Sequence, residues 1–159
     1  AYAIEIAKKE GVSLDEPSAA IVAMFGDGSY RDTLSVLEKV LHSAKKGVLD
    51  SDTVARVVGA PTHDLIDRVL RAIEADDPSD GLRAIGSAKE RHIDMKVYLS
   101  MLLAKMRATL LLRYAPSSAK ELSREFTPDD LVLLGELANS PARRVNSHVL
   151  SAFLLAAGD

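Results

Sequence analysis

From Asp94 to Tyr114 the chain reads DMKVYLSMLLAKMRATLLLRY, apolar on nearly every side of a helix and free of glycine and proline. Such a helix is stable in water when other helices surround it. It is therefore expected to be the buried spine of a helical bundle. A membrane span is excluded, because Lys105 and Arg107 interrupt the apolar run from Val97 to Leu112, and a cation at mid-bilayer costs about 2.5–3.5 kcal/mol. The other apolar positions fit the same architecture. Of 159 residues 47% are apolar, yet only 4% are aromatic and none is Trp, so Ala, Leu, Val and Ile must fill the core, as in packed helices. The fold class is all-α.

Punctuation divides the helical periodicity. The spacing predicts helices from Tyr2 to Glu10, from Glu16 to Phe25 with Pro17 in its first turn, and from Ser29 to about Lys45. Lys45, Lys46 and Gly47 end the third helix as the dipole and the C-terminal cap favour. The domain boundary is placed there, giving domains 1–46 and 47–159. Further helices are expected from Asp50 or Ser51 to Gly59, from Pro61 or Thr62 to Ala75, from Asp80 to Arg91, across the spine, briefly to Arg124, from Thr127 to Asn139 and from Val145 to Ala157. No β-ribbon, low-complexity linker or solenoid-length repeat is visible. The opening AYAIEIAKKEGV has no signal-peptide order and no initiator Met, so it reads as the cut end of a longer chain.

Charge and motifs exclude much chemistry. Twenty Lys and Arg against 23 Asp and Glu give a net charge of -3, which speaks against a domain built to grip nucleic acid by itself. Zero cysteines remove disulfides, thiolate zinc and thiol catalysis. The P-loop and the G-x-G-x-x-G turn are absent, and GDGSY does not meet the G-x-S-x-G elbow. A calcium loop from Asp27 to Glu38 fails at Ser29 and Arg31, where oxygen-rich ligands are needed. His42, His63, His92 and His148 lack paired metal spacing and read as structural or solvated. Asp76 and Asp77 read as a turn, Arg143 and Arg144 as a solvated face, and Met95, Met101 and Met106 as core filling. No catalytic residue and no metal ligand is assigned.

One position stands out. In GDGSYRDTLSVL, Ser29 is the expected N-cap of the third helix and Asp32 closes a loose capping box, which puts Arg31 in the first turn. A cation there meets the positive end of the helix dipole, at a cost of about 0.3–1 kcal/mol. Two readings follow. Arg31 pairs on the surface with Asp27 or Asp32, or its planar guanidinium reaches a phosphate delivered by another part of the molecule.

The run IAKKEGVSLDEPSAAIVAMFGDGSYRDTLSVLEKV, Ile6 to Val40, resembles the lid of the gamma/tau subunit of bacterial DNA polymerase III, the AAA+ ATPase of the clamp loader. The resemblance rests on the IA..EG helix and on Gly28, Ser29, Arg31, Asp32, Leu34, Ser35 and Leu37 in the GS.RD.LS.L signature. The VVG ending at Gly59, the helices from Asp64 to Arg91 and LLAKMRATLLL are similar to the family's collar. Glu38 and Lys39 depart from its common Asp-Gln pair.

The resemblance implies a three-helix AAA+ lid over 1–46 and a helical-bundle collar over 47–159. Arg31 would be the sensor-2 arginine, turned to the terminal phosphate of ATP held by an upstream domain and aimed by the cap residues Ser29 and Asp32. ATP and magnesium would belong to the full-length protein, with no cofactor in this segment and no hydrolysis by it alone. Other clamp-loader subunits would meet the collar in a homo- or hetero-oligomer. The sliding clamp and primed DNA would be engaged by the whole cytoplasmic assembly, away from membranes. Two other readings stand beside this one: a stand-alone helical interaction scaffold without ATP, and the same region of a related AAA+ replication or repair ATPase.

Overall fold

The computed structural model describes residues 2–43 and 48–157, and ten α-helices lie among them. The chain forms two compact units, Ala1–Thr62 and His63–Asp159.

The first unit contains α1 (Tyr2–Lys9), α2 (Glu16–Phe25), α3 (Tyr30–Ser43) and α4 (Ser51–Val58). Two very short strands, β1 (Ser13–Leu14) and β2 (Val48–Leu49), pair in parallel, with Leu14 opposite Leu49. Asp15 caps α2 by accepting from the Ser18 N–H at 2.8 Å, and Pro17 occupies the first turn, where its missing N–H costs nothing. Buried Ser18 then donates from Oγ to the Leu49 carbonyl at 3.3 Å, which fastens α2 to β2. Asp50 caps α4, and Gly59 ends it in the left-handed region at φ 76°, a conformation that costs glycine little.

Helix α4 packs on α2 and α3 and buries Val54 and Ala55 in the core formed by Ala7, Val22, Leu37 and Val40. The compact body therefore continues past the boundary placed after residue 46, to Thr62. A cut at 46 would remove β2 and α4 from the surfaces that bury them. The stop at Lys45, Lys46 and Gly47 lies outside the described residues.

The second unit contains α5 (His63–Ala75), α6 (Pro78–Glu90), α7 (Met95–Tyr114), a 3-10 turn at Pro116–Ser118, α8 (Ala119–Leu122), α9 (Pro128–Asn139) and α10 (Ser147–Ala157). Asp76, at φ 61°, and Asp77, which caps α6 by accepting from the Asp80 N–H at 3.0 Å, make the turn between α5 and α6. The spine is α7. Val97, Tyr98, Met101, Leu102, Met106 and Ala108 are buried on it, and α5, α9 and α10 pack against it. Met101 and Met106 fill core, while Met95, expected there too, is exposed because it stands at the first position of α7. Thr127 and Asp130 form a complete reciprocal capping box at the start of α9. None of the described helices is long and apolar enough to cross a membrane.

Candidate functional site

Arg31 lies in the first turn of α3, after a turn that the local sequence forces to be tight. Helix α2 ends at Gly26, whose N–H bonds back to the Val22 and Ala23 carbonyls. Asp27 and Gly28 follow with φ of 45° and 78°, and the Ser29 N–H returns to the Gly26 carbonyl at 2.7 Å. Three residues thus reverse the chain. The Ser29 hydroxyl accepts from the Asp32 N–H at 3.3 Å, so one half of the expected capping box is present. The other half gives way because the Ser29 N–H is already spent on Gly26.

The approach of the two helices depends on a residue that sequence reasoning did not single out. A Cβ added at Gly26 would lie 1.9 Å from Thr33 Oγ1 and 2.9 Å from Thr33 Cα. Only a residue without a side chain fits. Thr33 is itself held, its hydroxyl donating to the Ser29 carbonyl at 2.8 Å. Gly26 and Thr33 together set the bearing of the turn that carries Arg31. The available signal was the glycine at the end of α2, but its reason is a contact seven positions away.

Arg31 is exposed. Its carbonyl accepts from Ser35 Oγ at 3.2 Å, while its guanidinium has no hydrogen bond or ion pair among the described residues. Among the described residues no ion pair joins Arg31 to Asp32. Beside it Tyr30 meets Tyr2, ring centroids 5.0 Å apart and tilted by 45°. This end of the unit therefore presents a cation without a described partner on an ordered turn, and a guanidinium's planar fork suits an anion.

The second unit holds a buried polar cluster. Lys105, 2% exposed in the middle of the apolar spine, donates from Nζ to Asp67 Oδ1 and, at 2.5 Å, to Asp130 Oδ1. His63 Nδ1 lies 3.0 Å from the same Asp130 oxygen. Asp130 Oδ2 accepts from both the N–H and the hydroxyl of Thr127. Burial alone would raise the Asp130 pKa, but the His63 bond and the Lys105 charge outweigh it and hold the carboxyl well below the usual range. One ammonium thus joins α5, α7 and α9. Among the described residues no three His, Asp or Glu side chains are grouped to hold a metal ion.

The remaining polar residues act structurally. Arg144, expected on a solvated face, lies 3.4 Å from Asp76 and donates to the Glu74 carbonyl. Arg113, not singled out in the sequence, donates to the carbonyls of Leu137, Ala138 and Val145 at 2.7–3.0 Å. Glu74 accepts from the Val145 N–H at 2.9 Å. Burial opposes the charge of Glu74, yet bonds from Ser140 and the Val145 backbone and the nearby Arg113 keep its pKa lowered.

Over 114 residues, 72% of this chain, the sequence is 31% identical to DNA polymerase III subunit gamma/tau of Mycobacterium tuberculosis and, equally, to that of Mycobacterium bovis. The match covers 20% of those proteins, so the chain spans about a fifth of their length. Over 90 residues, 57% of the chain, it is 24% identical to replication factor C subunit 4 of Encephalitozoon cuniculi, covering 28% of that protein. No family model matches the chain.

Proposed function

We propose that this homologue of the DNA polymerase III gamma/tau subunit is the lid and collar segment of a clamp-loader ATPase subunit, the helical part that couples ATP bound elsewhere to movement of the assembly. The first unit is the lid and Arg31 its sensor, reaching the terminal phosphate of ATP on the preceding nucleotide-binding domain. The second unit is the collar, which meets neighbouring subunits of an assembly acting on the sliding clamp and primed DNA. The observation that carries the reading is the exposed Arg31 guanidinium, without an intramolecular partner among the described residues, on a turn fixed by Gly26 and Ser29.

The physical logic is a balance of fields. A cation in the first turn of a helix is opposed by the dipole, whereas a triphosphate opposite it turns that opposition into a strong, charge-assisted contact. Because the guanidinium travels with the lid, loss of the terminal phosphate would release it, which links hydrolysis to a rigid-body rotation. ATP and magnesium are held by the upstream domain in this reading. The likeness to replication factor C subunit 4 favours a second, broader form of it: the same region of a related replication ATPase.

The test is Arg31→Ala in the chain joined to its upstream nucleotide-binding domain. Clamp-stimulated ATP hydrolysis should fall on the order of 100-fold, the scale on which a lost transition-state donor is felt, with ATP binding largely retained. Unchanged turnover in a folded variant would remove the sensor role. For the collar, light scattering of the chain mixed with other loader subunits should show assembly that requires the second unit.

A further inference from the structure

A groove of about 530 Å³ lies between α1 and α3 in the first unit, at a place that the sensor reading does not use. One wall is a single face of α3. Leu34, Leu37 and Leu41 line it at spacings of three and four residues, together with Glu38 and His42. Ile6 and Val12 complete the apolar floor from the α1 side, and Glu10 joins Glu38 in the lining. From Leu34 to Leu41 α3 rises about 10 Å, or two helical turns. That length suits two or three aliphatic anchors of a helix laid in the groove.

The charge of the lining selects among occupants. Among the described residues its ionisable side chains are Glu10, Glu38 and His42. His42 Nδ1 lies 2.9 Å from the Glu38 carbonyl, a bond that orients the ring. The described lining is thus apolar in the floor, with two carboxylates at the edge. A second copy of this chain would offer α10, SHVLSAFLLAA, its most apolar exposed helix, with Leu154 and Leu155 at 53% and 75% exposure. It carries no Lys or Arg to answer the two carboxylates. We propose that the groove between α1 and α3 docks an amphipathic segment of a partner protein, with Leu, Ile, Val or Phe at helical spacing and Lys or Arg flanking them. The apolar floor supplies the affinity and the glutamates supply the choice of partner.

Two labelled 14-residue helical peptides test this, one built from Leu and Lys and its twin from Leu and Glu, titrated against the 159-residue chain by fluorescence anisotropy. The Leu/Lys peptide should bind at least about tenfold more tightly than its twin, and Glu10→Lys with Glu38→Lys should reverse the order. Both glutamates are exposed, so the fold survives the change, as circular dichroism checks. A control with the same change in net charge, Glu121→Lys with Glu125→Lys, should leave binding within about twofold. The proposal is overturned if the two peptides bind equally or not at all, or if the control weakens binding as much as the groove reversal. Self-association blocked by both Glu10→Lys and Leu155→Asp, without peptide binding, would assign the groove to a second copy and overturn it equally.

Discussion

Lys105 Nζ lies 2.5 Å from Asp130 Oδ1, and both side chains are almost wholly removed from water. A lysine that argues against a membrane span when read in the sequence proves to be the node of the second unit. Its other partner, Asp67, lies on α5, and Asp130 belongs to the capping box of α9. Removing the ammonium leaves carboxylates facing one another in a site of low polarity. Lys105→Ala should therefore destabilise the second unit by about 3–5 kcal/mol, read as a drop in the urea midpoint. Lys105→Met combined with Asp130→Asn should lose less than the sum of the two single changes.

Acid should act on the same residue. The folded-state pKa of Asp130 is depressed, so its contribution is fully present above the unfolded carboxylate value of about 3.9 and is lost as pH falls towards the folded value. Asp80 follows the same sign. Its bonds from Arg68, at 2.9 Å from Nε and 2.5 Å from Nη2, together with Arg83, pull its pKa down to about 2. Acid unfolding should thus steepen below pH 4, and Asp130→Asn should flatten that limb of the stability profile. An unchanged limb would show that the cluster has no net preference for the charged carboxylate.

Gly26 and Thr33 offer a steric test. Gly26→Ala should cost about 1–3 kcal/mol or more through overpacking, seen as a lower melting temperature of the first unit. Thr33→Ala should not rescue it, because the Cα of residue 33 would still lie 2.9 Å from the new methyl group. Full rescue would mean that the hydroxyl alone sets the distance between α2 and α3.

Arg31 should be dispensable for folding. Its guanidinium has no partner among the described residues and faces the unfavourable end of the dipole. Arg31→Ala should leave stability within about 0.5 kcal/mol or raise it slightly, with any gain shrinking as salt is added. A loss above about 1 kcal/mol would reveal an intramolecular role for the side chain.

The helices were legible because their starts and stops are local. Gly11, Gly59, Asp77-Pro78 and Thr127-Pro128 act through their own backbone and the next turn. The extent of the first unit was not, since the stop near residue 46 competes with two-residue strands that pair Ser13–Leu14 with Val48–Leu49. Such strands are too short to show a period of two. Arg31 was visible as an electrostatic anomaly and Ser29 as its cap. The loss of the expected bond between the Ser29 N–H and Asp32 was not foreseeable, because only the fold shows that Gly26 takes that N–H. Nor does local pattern disclose the partners of Lys105, which lie 38 and 25 positions away.

Arg113 gives the end of the spine one more property. A single guanidinium holds the last carbonyls of α9 and the carbonyl of Val145, two residues before α10 begins. The connection between these helices is moored at its far end rather than swinging freely. A displacement of α10 would thus have to strain the bond from Arg113 to Val145 as well as its packing on α7. The final helix is geared to the spine, and substituting Arg113 would amount to disengaging a clutch.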